Sequence, residues 1–303
     1  MRLIYYSLVY LNNDRYVEQW VQSISSLRRY NSRITVYLVL FNGLPARIAD
    51  AAKRWNVTIA FVGEYTEYLY RLHVQGPVLA LLPPVPKLIS LHHTPVQEAS
   101  QVLYLDCDTF FFDDVEILFD RYSACHWYGR EEPTSRQSYH EYDPLHVNEE
   151  LLQELAESEG ARPVPPFNTG VCLLNHGIWH LLDRLRITFL DTVWRLAVGW
   201  RVALQDPSDA DPQVQHAVFA ALTEFDRSRA LRYPSSKLWI IDQVALWLTL
   251  GRLPYASPGL FAQAHVAQNG EFQRALRNPG GLVVAHYFSA HESSFFSDLD
   301  KYR

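Results

Sequence analysis

Two periodicities alternate along the first sixty residues, and that alternation limits the fold more than any other feature of the chain. Residues 3–11 (LIYYSLVYL) form an apolar, Tyr- and Val-rich run that reads as a buried strand. Asn13 or Asp14 can cap a helix behind it, with Tyr16, Val17, Trp20, Val21, Ile24 and Leu27 at three-and-four spacing on one face. Residues 34–41 (ITVYLVLF) return to a β-branched strand closed by Asn42-Gly43, and a helix over 45–55 and a strand over 57–62 repeat the unit. Strand, helix, strand in this rhythm predicts an α/β fold: a central, mostly parallel sheet flanked by helices. The 303 residues suffice for one such domain with a substantial core.

The rest of the chain is less regular. Residues 76–86 are Pro-rich and predict irregular backbone before a short helix carrying Lys87, Leu88 and Leu91. A strand is expected at 102–105, a short helix at 113–119, and a long loop at 129–149, where polar residues follow no clear period. Residues 167–175 (FNTGVCLLN) read as a turn passing into a strand. A helix is expected over 176–198, another over 239–250 ended by Gly251, and a last strand over 281–288.

Composition narrows the function. Net charge is −6 and no Lys/Arg run is interleaved with aromatics, so nucleic-acid partners are not expected. No apolar stretch is long enough to span a bilayer, and the N-terminus lacks the small-residue cleavage site of a signal peptide. Cys107, Cys125 and Cys172 are odd in number and widely spaced, with no C-x-x-C pair; a reducing compartment, the cytoplasm, fits them best. Nothing in the sequence speaks to oligomeric state.

The chemistry concentrates at residues 102–112 (VLYLDCDTFFF). Acidic pairs one residue apart occur also at Asp209/Asp211 and Asp298/Asp300, but in polar surroundings that suit solvated turns. Asp106 and Asp108 instead end a buried strand, and ligands of α/β sheets bind at the carboxyl ends of strands. Carboxylates there need a cation. Mg²⁺ or Mn²⁺ takes carboxylate oxygens and leaves positions for phosphate oxygens, so a divalent ion carrying a diphosphate is a natural partner.

At this point the chain resembles a family. YLDCDT (104–109), FNTGV (167–171), Asp242-Gln243 and VAHY (284–287) stand in the order seen in the glycogenin-like, retaining glycosyltransferases of the GT-A fold. Residues 6–16 (YSLVYLNNDRY) are similar to that family's first strand and turn, with one residue extra, and Lys87-Leu88 to the lysine preceding its acidic strand. The resemblance covers residues 3–122, 166–175 and 238–290. It implies a single GT-A-type, Rossmann-like domain with a helical insertion at 176–237, and transfer of a sugar from a nucleoside-diphosphate sugar, a UDP-sugar, to a carbohydrate, glycan or protein acceptor. By the same resemblance, Asp106, Asp108 and His286 would bind Mn²⁺ or Mg²⁺. Leu8, Tyr10, Asn13 and Tyr16 would surround the base, and Asp106 would face the ribose. Cys107 would offer its backbone, while Lys87, Asn168, Thr169, Gly170, Asp242 and Gln243 would surround the donor sugar, the last two nearest the reacting carbon.

Taken alone, each residue also has a plainer reading. His286 could be a hydrogen-bonded core histidine, Asn168 a turn residue, Asp242 a helix cap and Lys87 a surface lysine. Tyr139, His140, Tyr142 and His146 lie in the polar loop and read either as a lid or acceptor contact or as an exposed loop. The family follows its metal histidine with a glycine and then a lysine for the diphosphate; here the run is HYFSAHE (286–292), and no Lys or Arg appears before Lys301. Two other functions remain open: a sugar nucleotidyltransferase, against which the glycine-free residues 11–15 (LNNDR) argue, and a catalytically degenerate nucleotide-sugar-binding protein.

Overall fold

The structure is a computed structural model that describes residues 1–12, 14–65, 67–68, 86–132, 134–135, 147–176, 178, 182–203, 241–268, 271 and 280–287. The N-terminal alternation is realised as β1 (Arg2–Val9), α1 (Asp14–Tyr30), β2 (Thr35–Phe41), α2 (Ala46–Trp55) and β3 (Thr58–Gly63). A short helix α3 (Pro86–Ile89) precedes β4 (Gln101–Leu105), and β5 (Thr109–Phe111) and α4 (Glu116–Arg121) follow. Then come β6 (Trp127–Glu131), β7 (Thr134–Ser135), β8 (Val147–Asn148), α5 (Glu149–Ser158), β9 (Phe167–Asn175), α6 (Leu182–Ala203) and α7 (Ile241–Arg252). Strands β10 (Pro258–Phe261), β11 (Val266–Gln268) and β12 (Val284–His286) complete the described elements.

Among the described residues, seven strands form the main sheet in the order β10-β6-β9-β4-β1-β2-β3. Strands β4, β1, β2 and β3 are mutually parallel, β9 is antiparallel to both its neighbours, and β10 pairs parallel with β6. The expected α/β class with a mostly parallel sheet is therefore borne out. Alternation along each strand explains why the strands read as continuous apolar runs. Leu3 and Tyr5 of β1, Val102 and Tyr104 of β4 and Phe41 of β2 face one core with α6 and α7, whereas Ile4, Tyr6, Leu103, Leu105 and Leu40 face another with α1 and α2. Both faces are covered, so both sets are apolar. A smaller sheet, β11-β12-β5, lies beside them, with β12 parallel to β11 and antiparallel to β5.

Several local expectations are corrected. Residues 167–175 are strand throughout: no turn precedes it, because Phe167 and Asn168 already pair with Glu131 and Arg130 of β6. The first residues of the expected 129–149 loop belong to β6, and its end is β8. Their period was hidden because β6 buries charged Arg130 beside a glycine; a Cβ on Gly129 would stand 2.5 Å from the Phe167 ring. Helix α5 was missed despite the Asn148 cap, whose Oδ1 accepts the Leu151 N–H at 2.9 Å. Helix α7 runs through Gly251 to Arg252, since Gly251 is there to let the Arg162 carbonyl approach: a Cβ would meet that oxygen at 2.5 Å. Helix α4 begins at Glu116, not at 113, because Asp114 Oδ1 accepts the Glu116 N–H at 3.0 Å where the chain leaves β5. The triplet 109–111 is a strand, β10 and β11 were not foreseen, and α6 spans Leu182–Ala203 instead of 176–198. The Pro-rich residues 76–85, the pairs Asp209/Asp211 and Asp298/Asp300 and most of 200–237 lie outside the described residues.

Candidate metal and nucleotide-sugar site

Pairing brings the singled-out residues together. Asp106 follows the last residue of β4, and antiparallel β9 sets Val171 against Leu105, so the Asp106 N–H donates to the Gly170 carbonyl at 2.8 Å. Asp108 precedes β5, whose antiparallel partner β12 puts His286 in register with Thr109. The Tyr287 N–H donates to the Asp108 carbonyl at 2.9 Å, and Thr109 Oγ1 donates to the Asp106 carbonyl at 2.9 Å. Two sheets thus meet at the DCD turn, and they fix its backbone from both sides.

One carboxylate oxygen from Asp106, one from Asp108 and one ring nitrogen of His286 lie within 4.8 Å of one another. His286 Nε2 is 3.3 Å from Asp108 Oδ1 and 3.5 Å from Asp106 Oδ2. A single Mg²⁺ or Mn²⁺, with ligands at about 2.1 Å, places its ligand atoms about 3–4 Å apart, so the set fits one such ion. Two hard carboxylate oxygens suit Mg²⁺ or Mn²⁺, and the imidazole nitrogen favours Mn²⁺ of the two. Burial disfavours the charge on His286, but Asp108 and Asp106 outweigh it and raise the imidazole pKa to about 9.

Gly170 has a specific steric task. A Cβ at this position would stand 2.0 Å from His286 Cε1 and 2.3 Å from both ring nitrogens. The ring lies directly on the β9 backbone where a side chain would be. The resemblance set this glycine beside the donor sugar; the structure adds that the His286 ring lies against it.

Lys87 is not a surface lysine. Its Nζ lies 3.0 Å from Asp106 Oδ2, 3.0 Å from Asp242 Oδ2 and 3.1 Å from Thr169 Oγ1. Burial opposes its charge, yet the two carboxylates outweigh that and raise its pKa. Burial likewise raises Asp106, but Lys87, the His286 hydrogen bond and the Tyr104 hydroxyl hold that carboxyl well below the usual range. Asp242 is 3% exposed, and burial raises its pKa even though Lys87 and Thr169 Oγ1 bind it. Its Oδ2 contacts reach across the site, so the helix-cap reading is set aside. The neighbouring Gln243 Oε1 accepts the Thr169 N–H at 2.9 Å. The Trp247 indole donates to the Phe167 carbonyl at 2.7 Å, which docks α7 on β9 one turn beyond these groups.

Asn168 is held on both sides: Oδ1 accepts the Gly170 N–H at 2.8 Å, and Nδ2 donates to Glu132 Oε2 at 3.2 Å. Tyr104, which lines the site's cavity, and Glu132, which holds Asn168, are groups that sequence reasoning missed. The signal for Glu132 was weak, a second acid after β6 in an aperiodic stretch. Burial at 2% exposure, eased by the Asn168 hydrogen bond, lifts the Glu132 pKa to about 7 from its usual 4.5. A carboxyl with a raised folded pKa loses stability as pH climbs from about 4.5 to about 7. Glu132→Gln is therefore expected to be more stable than the parent above pH 7, by on the order of 2–3 kcal/mol, with the difference vanishing near pH 4.5; urea titrations at pH 7.5 and 4.5 measure it.

Leu8, Tyr16, Lys87, Asp106, Cys107 and Asp108 share the wall of one cavity of about 200 Å³. Tyr10 is not among its walls; its hydroxyl donates to Asp14 Oδ1 at 3.4 Å. Asn13 and the loop residues Tyr139, His140, Tyr142 and His146 lie outside the described residues, as do Lys301 and Arg303. Burial pushes the Cys107 thiol well above its usual range, so it is unreactive. Among the described residues, no helix is long and apolar enough to cross a membrane.

No protein-family model matches the chain, and no curated protein matches it. Solved structures do. The chain aligns over 99% of its length with 96% of the galactosyltransferase LgtC, solved with donor and acceptor sugar analogues, at 14% identity and TM-score 0.51. Over 98% of its length it aligns with 49% of WbbM, a bifunctional glycosyltransferase in apo form, at 10% identity and TM-score 0.52. Mouse xyloside xylosyltransferase 1, also apo, aligns over 94% of this chain and 97% of its own at 14% identity and TM-score 0.49. At these identities the likeness concerns architecture: the chain has a GT-A-type fold, similar to that of LgtC.

Proposed function

We propose that the chain transfers a sugar from a nucleoside-diphosphate sugar, a UDP-sugar by preference, to an acceptor, with Asp106, Asp108 and His286 holding Mn²⁺ or Mg²⁺. The observation that carries this reading is the convergence of those three ligand atoms within 4.8 Å at the carboxyl end of β4, in a fold also used by a galactosyltransferase that binds donor and acceptor sugar analogues. When bound, the ion supplies positive charge to the departing diphosphate. Lys87 keeps its own charge between Asp106 and Asp242 and holds both carboxylates in place beside the donor. Gln243 Oε1 uses one lone pair on the Thr169 N–H. Its other lone pair can stabilise positive charge developing on the sugar carbon, with Asp242 alongside; retention of configuration is proposed on the resemblance alone. Asn168, clamped by Gly170 and Glu132, presents a fixed amide edge to sugar hydroxyls.

Three unpaired cysteines suit a reducing compartment, and we place the protein in the cytoplasm on that ground. We further propose a single domain in which 176–237 is a helical insertion on the acceptor side; α6, its described part, packs on α7, the helix of Asp242. Incubating the protein with UDP-, GDP- and dTDP-sugars, with and without Mn²⁺, tests the reaction class. Metal-dependent release of free nucleoside diphosphate is the expected product. Formation of nucleoside triphosphate and sugar 1-phosphate when pyrophosphate is added, or turnover of no donor, would contradict sugar transfer.

A further inference from the structure

Gln19 lies on the buried face of α1 and is 0% exposed, and among the described residues neither its Nε2 nor its Oε1 has a hydrogen-bond partner. Burying an amide this way costs about 1–3 kcal/mol for each polar group left unmet. Ser7 Oγ of β1 is buried and unmet as well. Both residues line the same 200 Å³ cavity as Asp106 and Asp108, which they face from the β1 and α1 side. The helix sets the height. Four residues further along α1, Ser23 Oγ reaches Thr109 Oγ1 at 2.7 Å, beneath the DCD turn. One helical turn back, about 6 Å nearer the strand ends, Gln19 looks into the cleft.

We infer that Gln19, helped by Ser7, reads the nucleobase of the bound nucleotide. This rests on the nucleoside-diphosphate donor proposed above. A side-chain amide presents a donor and an acceptor side by side. A base edge that sets a carbonyl beside an N–H, as uracil and guanine do, pairs with it through two hydrogen bonds; a base edge that sets an amino group beside a ring nitrogen, as cytosine does, pairs with the amide turned over. The Ser7 hydroxyl can serve a further base atom as donor or acceptor. Tyr16 and Leu8 line the same cavity and supply apolar surface beside the ring. The polar groups that the sequence resemblance set around the base, Tyr10 and Asn13, are not needed for this pairing.

Calorimetry with UDP, CDP, GDP and pyrophosphate, each with Mn²⁺, on the wild-type chain and on Gln19→Met and Ser7→Ala tests the assignment. Gln19→Met should weaken the preferred nucleoside diphosphate roughly 10- to 100-fold, as loss of two hydrogen bonds requires. Pyrophosphate, which has no base, should bind the variant as it binds the parent. Ser7→Ala should weaken the same nucleotide by a smaller factor. A wild-type chain that binds UDP, CDP and GDP no more tightly than pyrophosphate also overturns the inference. Equal nucleotide affinity in wild type and Gln19→Met overturns the inference and leaves the donor reading standing; so does an equal loss of nucleotide and pyrophosphate, which marks Gln19 as structural. Failure of the wild-type chain to bind any of the four probes overturns both.

Discussion

Lys87→Met is expected to destabilise the protein by about 3–5 kcal/mol at pH 7 and to abolish transfer activity. The side chain is only 19% exposed and lies 3.0 Å from carboxylate oxygens of both Asp106 and Asp242. Removing it leaves two acids sharing a largely dehydrated space with no cation between them, and breaking a buried pair from one side carries a penalty of this size. Methionine keeps the volume, so packing is a minor part of the loss. The pH dependence has a definite sign. In the parent, Lys87 holds Asp106 below its ordinary range, a contribution present above the unfolded carboxyl pKa and lost as pH falls through the folded one. In the variant that contribution is gone, and Asp242, already raised by burial, rises further. The difference between parent and variant should therefore be large at pH 7, begin to shrink above pH 4 as Asp242 protonates in the variant, and shrink further as pH falls through the folded Asp106 pKa. Urea unfolding at both pH values reads it directly. A variant as stable as the parent at neutral pH would show that the network is not a stabilising one.

The second large effect is expected from Gly170→Ala. A methyl group there would begin 2.0 Å from the His286 ring, against a limit of 3.0 Å that real Cβ contacts essentially never cross. Strand β9 is fixed on both sides by β4 and β6, so the histidine must give way. The expected result is a loss of about 1–3 kcal/mol from overpacking together with roughly 10- to 100-fold weaker Mn²⁺ binding as the ligand is displaced. A double variant separates this account from a general weakening of β9. Removing the ring in Gly170→Ala/His286→Ala should recover much of the stability lost in Gly170→Ala alone, because the clash and its cause go together. Additive losses in thermal melts would contradict it.

Sequence reading reached different depths in different places. Strands β1, β2 and β4 were legible because each is covered on both faces and reads as a continuous apolar run. Helices α1 and α2 were legible because each carries one apolar stripe. Strand β6 was not, since Arg130 is buried within it against Glu271 at 2.5 Å and a glycine beside it yields to Phe167. Both features erase alternation, and both are explained only by partners far away in the chain. The site shows the same division. Asp106 and Asp108 stood out by their place after a buried strand. That Gly170 makes room for His286, that Lys87 bridges two acids, and that Glu132 secures Asn168 depend on strand register across β4, β9, β6 and β12. No local spacing carries that information.

The claim on which the rest depends is that Asp106, Asp108 and His286 form one divalent-cation site. Mn²⁺ titration followed by electron paramagnetic resonance, with UDP present, tests it on the wild-type chain, Asp108→Asn and His286→Ala. The account predicts one bound ion per wild-type chain and affinity lower by at least about 100-fold in each variant, with thermal melts showing all three folded. Binding that is unchanged in both variants, or no binding by the wild type, would contradict it.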